Sequence, residues 1–63
     1  MSQTISLKVR RMGTSFAVFF FVQEASRSYG GQIISVQSNL EAALRFQNDE
    51  AWRRGLTIIP YQA

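Results

Sequence analysis

The chain has 63 residues, a formal net charge of +3, and neither cysteine nor histidine. That length makes one domain at most, residues 1–63, and a domain of this size buries only about 60% of its unfolded surface. Without cysteine there is no disulfide. Without cysteine and histidine, a zinc or copper site lacks its usual ligands, and a reaction near neutral pH lacks its commonest base and its thiol nucleophile. The expectation is therefore no enzyme, no metal and no cofactor. Close packing, a second copy or a bound partner must supply what a staple would otherwise give.

The hydrophobic fraction of 46% is that of a globular domain and not of a disordered tail. All the excess charge lies in the first half: Lys8, Arg10, Arg11 and Arg27 stand against Glu24 alone, whereas Arg45, Arg53 and Arg54 balance Glu41, Asp49 and Glu50. A mildly basic surface attracts nucleic acid, anionic membrane or an acidic protein without choosing among them. Lack of cysteine fits a reducing, cytoplasmic setting. Lys8-Val9-Arg10-Arg11, the apolar run 16–22 and Ala25-Ser26 outline a faint secretory signal. Cleavage there leaves fewer than about 40 residues, too few for a stable cysteine-free domain. The run also falls short of the roughly 20 residues that a helix needs to cross a bilayer, so no membrane partner is expected.

From Thr4 the residues alternate. Ile5, Leu7 and Val9 point one way and Ser6, Lys8 and Arg10 the other, which predicts a half-buried strand over 5–11. Met12-Gly13-Thr14 is a turn, because glycine tolerates the backbone angles of a tight hairpin. Residues 16–22 are apolar on both faces: Phe16, Val18, Phe20 and Val22 on one, Ala17, Phe19 and Phe21 on the other. Aromatic and β-branched content makes this a strand. Residues 23–29 read as a loop or a short helix, ended by a Gly30-Gly31 turn. Tyr29 and this segment are candidates to cover the second face of the aromatic strand.

A third strand is expected at 32–37, with Ile34 and Val36 on one face and Ile33 on the other. Ser38-Asn39-Leu40-Glu41 then matches the Ser-x-x-Glu capping box. The helix it opens spans 39–47, with extension to 54 left open, and carries Leu40, Ala43, Leu44 and Ala51 on its apolar stripe. Gln47 and Asn48 interrupt that stripe. A break is therefore expected near Asn48-Asp49, with Asp49 capping a last turn through Trp52 and Gly55 closing it. A final strand at 56–59 stops at Pro60. The fold class that follows is α+β: a small three- to four-stranded, mainly antiparallel sheet with one helix packed on it, in β-β-β-α-β order.

No catalytic set stands out. Asp49 and Glu50 read as acids at a helix start, Glu41 as half of the capping box, and Glu24 as a partner for Arg27. The aromatic run is the informative feature. One helix covers one face of a sheet, so the other face of a two-sided apolar strand is left open, and an exposed aromatic patch marks an interface. The expected binding residues are Phe19 and Phe21 at its centre, with Ala17 as a small residue allowing close approach, and Lys8, Arg10 and Arg11 as a basic rim.

Arg10-Arg11-Met12-Gly13-Thr14-Ser15-Phe16 and Tyr29-Gly30-Gly31-Gln32-Ile33-Ile34-Ser35-Val36 resemble the R-R-x-G-x-x-F and L-G-G-K-I-V-x-I patterns of the small linker domains that cap phycobilisome rods. The likeness covers under half the chain. The interval between the motifs is shorter here, and the helix after Ser38 has no counterpart. It implies a helix before the double glycine, a following strand paired with the first, and insertion into a phycobiliprotein ring.

The sequence therefore predicts a protein-binding module (an adaptor, linker or inhibitor) whose partner is another protein or a second copy of itself. The alternatives are a nucleic-acid binder using the basic first strand and a phycobilisome-type linker.

Overall fold

In the computed structural model, which describes residues 3–62, β1 (Thr4–Met12) and β2 (Ser15–Gln23) form one hairpin. They pair antiparallel along their whole length, from Thr4 opposite Gln23 to Met12 opposite Ser15. Gly13 takes φ +64°, and Thr14 does not adopt a positive φ. Positive φ at the first of two turn residues is the II′ geometry, whose twist matches that of the flanking strands.

The third strand is longer than expected. β3 (Ser28–Gln37) begins after only four loop residues, 24–27. That loop is closed by Glu24 N–H donating to the Arg27 carbonyl at 2.8 Å. Arg27 Nε returns to Glu24 Oε1 at 3.1 Å. Gly30-Gly31 is therefore neither a turn nor a helix end. Both glycines lie inside the strand, where β2 crowds the place of a side chain: the Phe19 ring at Gly30 and the Phe20 backbone at Gly31. A Cβ on Gly30 would stand 3.3 Å from the Phe19 ring, and one on Gly31 would stand 3.3 Å from the Phe20 carbonyl. The helix that the linker resemblance implied before the double glycine is absent, and β3 pairs with β2 and not with β1.

Two register shifts lie between the pairs Val18–Ser35, Phe19–Ile33 and Phe21–Gly30. Each adds a residue on β3. Such bulges break period-two reading of a strand. This corrects the expected faces: Ile34 packs against the core, whereas Val36 shares the outer face with Ala17.

α1 (Leu40–Arg54) is unbroken. Its N-cap is Asn39 and not Ser38: Asn39 Oδ1 accepts from Ala42 N–H at 2.8 Å. Glu41 therefore stands in the first turn and not in a capping box. The break expected at Asn48-Asp49 does not occur, and Asp49 caps nothing. Gln47 is buried and hydrogen-bonded, which lets a polar residue sit within the apolar stripe. Gly55 ends the helix at φ +68°. β4 is only Thr57–Ile58, shorter than the 56–59 expected, and runs parallel to β1 opposite Ser6 and Leu7.

The result is one mixed four-stranded sheet, β3-β2-β1-β4, with α1 on one face. Leu7, Val9 and Val18 meet Ala43 and Ala51 there, and Phe16, Phe20, Ile34, Leu40 and Leu44 pack around them. The alternation read for β1 and β2 thus holds, and it leaves the opposite face of the sheet without a covering element.

Candidate binding face

Pairing in the ladder places residues on a common face. Lys8 stands opposite Phe19 and Arg10 opposite Ala17, while Phe19 meets Ile33 and Phe21 meets Gly30. These residues lie on the side away from Leu7, Val9 and Val18, and so away from α1. The face therefore runs from basic residues on β1, across aromatic residues on β2, to Ile33 and Val36 on β3. Ile33 is 43% and Val36 59% exposed.

Phe19 and Phe21 are each half-buried. The Phe19 ring lies against Gly30. Lys8 Nζ lies 4.6 Å from the centre of the Phe21 ring, a geometry in which the ring's negative face attracts the ammonium. Lys8 thus holds its ammonium over the Phe21 ring. An open groove of about 640 Å3 follows this junction and is lined by Lys8, Arg10, Phe19, Phe21, Gly30 and Tyr61, among others. Tyr61 is fixed at the edge of the sheet by an edge-to-face contact with Phe16, ring centres 6.1 Å apart.

Two of the expected residues stand differently. Ala17 is wholly buried between Arg10 and Val36, so it forms the floor of the face and offers no surface for close approach. Arg11 pairs with Phe16 on the helix side, and its Nε donates to the Gly13 carbonyl at 3.1 Å. It steadies the hairpin turn from the helix side while also lining the groove, and Lys8 and Arg10 are the cations whose register puts them on the open face. Tyr29 does not cover that face either. It sits opposite Val22, with Arg27 5.1 Å from its ring centre.

The acids are all elsewhere. Among the described residues the ion pairs are Arg27–Glu24, Arg53–Glu50 and Arg54–Glu50. None involves Lys8 or Arg10, and no side-chain carboxylate of the described residues stands on the open face. Glu50, expected at a helix start, instead lies near the end of α1 and is buried. A hydrogen bond from Arg54 at 2.7 Å holds its carboxyl below the usual range, helped by the charges of Arg53 and Arg54 against the opposing effect of burial. Arg54 also lies over Phe20, 5.3 Å from its ring centre. This cluster fastens the end of the helix to β2.

One further surface residue leaves no sign in the residue pattern. Trp52 is 90% exposed on α1, in the layer opposite the open face, beside a shallow apolar hollow formed with Leu56 and Ile58. Only its position in the last helical turn was legible, not its outward direction.

Among the described residues no group of three or more acids, histidines or cysteines is close enough to hold a metal ion. No helix among the described residues is long and apolar enough to cross a membrane. Comparison with protein-family models, with curated proteins and with solved structures finds no match.

Proposed function

We propose that this protein is a non-catalytic binding module whose open sheet face docks a partner protein through an acidic, partly apolar surface. The observation that carries this reading is the pairing of an aromatic centre, Phe19 and Phe21, with two cations, Lys8 and Arg10, that form no ion pair among the described residues. Aromatic side chains bring large contact area at little entropic cost, and flanking charges steer association and fix orientation. Most of each ring is already covered within the sheet, and covering the part still exposed contributes roughly 1 kcal/mol through area alone. Ile33 and Val36 extend the apolar area beyond the rings.

Charge complementarity selects the kind of partner. A second copy stacked on this face brings two more cations and no carboxylate. Nucleic acid meets only two cations here. Neutralising two phosphates gives a log–log salt slope of roughly −1.4 to −1.8, too little electrostatic drive for tight binding near physiological salt. A protein surface with carboxylates around an apolar patch satisfies both halves of the face.

The test is retention of proteins from the native lysate on the immobilised chain, compared with Arg10→Glu and Phe19→Ser. The expected result is a protein held by the parent chain, weakened by Arg10→Glu and lost with Phe19→Ser while both variants stay folded. Retained material that is released by nuclease, or proteins held equally by all three chains, overturns the reading.

A further inference from the structure

The two edges of the sheet are built differently. Beside β1, β4 pairs for only two residues, and Ile59 N–H adds one more bond to the Leu7 carbonyl at 3.0 Å. Pro60 then ends the pairing, since it has no N–H to give. The cations Lys8, Arg10 and Arg11 also lie on β1. At the other edge, β3 presents ten residues, Ser-Tyr-Gly-Gly-Gln-Ile-Ile-Ser-Val-Gln, with no strand beyond them. It contains no charged residue and no proline, two of the devices that keep a sheet edge from pairing with another chain, though its two bulges are a third and limit pairing to the straight stretches on either side of them. Three of the protein's exposed large apolar side chains, Tyr29, Ile33 and Val36, belong to it.

We infer that β3 is a self-association edge, pairing antiparallel with β3 of a second copy across a two-fold axis to give a continuous eight-stranded sheet. Electrostatics select this occupant. The edge is neutral, and the nearest cation, Arg27, is already bonded to Glu24. Strands lie about 4.8 Å apart, so the cationic β1 strands of the two copies end up roughly 24 Å from each other, well beyond the ~8 Å screening length at physiological salt. Edge pairing thus avoids the repulsion that face-to-face stacking incurs. Both copies keep the open face, so the inference does not depend on the proposed function. The small core also needs a partner: its fully buried apolar residues are four of Leu or Val and three of Ala. A second subunit is one of the few staples open to a chain without cysteine or histidine.

The bulges between Gly30 and Ser35 bend β3, so the new ladder forms from the straight stretches on either side. In the straight stretch nearer the helix, Val36 is the residue whose backbone faces outward. Met12 and Ser15 close the two-residue hairpin as a hydrogen-bonded pair, and alternation from there turns the Ala17 backbone towards β1 and that of its neighbour Val36 away from β2.

The experiment is sedimentation equilibrium of the full chain from micromolar to millimolar concentration, beside Val36→Pro, Val36→Lys and Arg10→Glu. The parent chain should rise from its 7.2 kDa mass towards twice that value. Val36→Pro removes an outward N–H and Val36→Lys charges the edge. Each should remain at monomer mass with an unchanged circular dichroism spectrum, and Arg10→Glu should dimerise like the parent. If Val36→Pro unfolds, Val36→Lys carries the test. A parent chain that stays monomeric throughout, a folded Val36→Lys that dimerises normally, or a dimer strengthened by Arg10→Glu overturns the inference.

Discussion

The side-chain amide of Gln47 donates to the backbone carbonyl of Leu7 at 2.7 Å, joining the middle of α1 to the centre of β1 across forty positions of sequence. The same nitrogen donates to the Ile59 carbonyl at 3.1 Å. One buried residue therefore holds the helix, the first strand and the chain after β4 together. Replacing it with leucine keeps the volume and removes the donor, which leaves the Ile59 carbonyl without this partner. The expected loss is about 1–2 kcal/mol. In a domain of this size that lowers the melting temperature by roughly 5–15 °C, read by circular dichroism. An unchanged melting temperature shows that the amide contributes packing alone.

The helix cap separates two adjacent residues. Asn39→Ala removes the acceptor of the Ala42 N–H and should cost about 1 kcal/mol. Ser38→Ala should cost far less, since Ser38 is exposed and Asn39 makes the capping bond. Thermal melting of the two variants side by side decides between them, and a larger loss at Ser38 contradicts the assigned cap.

Glu50 makes the end of α1 sensitive to acid. Arg54 holds its carboxyl below the ordinary value of 4.5. The unfolded chain therefore binds this proton first as pH falls. The stabilisation is fully present above the ordinary value and is lost as pH drops through the depressed one. Glu50→Gln should melt lower than the parent at pH 7, with the difference shrinking as pH approaches 2. A difference that does not change with pH shows that the loss comes from packing alone.

What the sequence made legible was the part governed by local rules. Alternation in β1 and the two-sided run of β2 follow from side-chain direction on a strand, and they placed Phe19 and Phe21 on the face away from Leu7 and Val9. The misreadings arise where a distant residue decides. Gln47 looked like an interruption because its acceptors, Leu7 and Ile59, lie on other elements. Gly30-Gly31 reads as a turn because the Phe19 ring and the Phe20 carbonyl that crowd a side chain there belong to the neighbouring strand. Ile34 was assigned the face of Val36 because a bulge leaves no mark in residue periodicity. Ala17 was read as accessible because its burial comes from Arg10 and Val36 beside it.

Phe19 has a structural share that must be separated from binding. Most of its ring is already covered, so Phe19→Ser should cost about 2–3 kcal/mol of stability. Arg10 is exposed and outside the ion pairs of the described residues, so Arg10→Glu should melt within about 0.5 kcal/mol of the parent. Denaturant titration of both variants measures these shares. Complete unfolding of Phe19→Ser at room temperature shows that the ring belongs to the core.

The central claim is that the open face, and not the outer surface of the helix, meets a partner protein. It is tested most directly by placing a photoreactive benzoyl-phenylalanine at position 19 in one version of the chain and at exposed Arg45 in another, then irradiating each in the native cell. The account predicts a discrete adduct with a different protein from position 19, reduced when Arg10→Glu is added, and no matching adduct from position 45. Nuclease-sensitive adducts at position 19, or an equal protein adduct from both positions, contradict it.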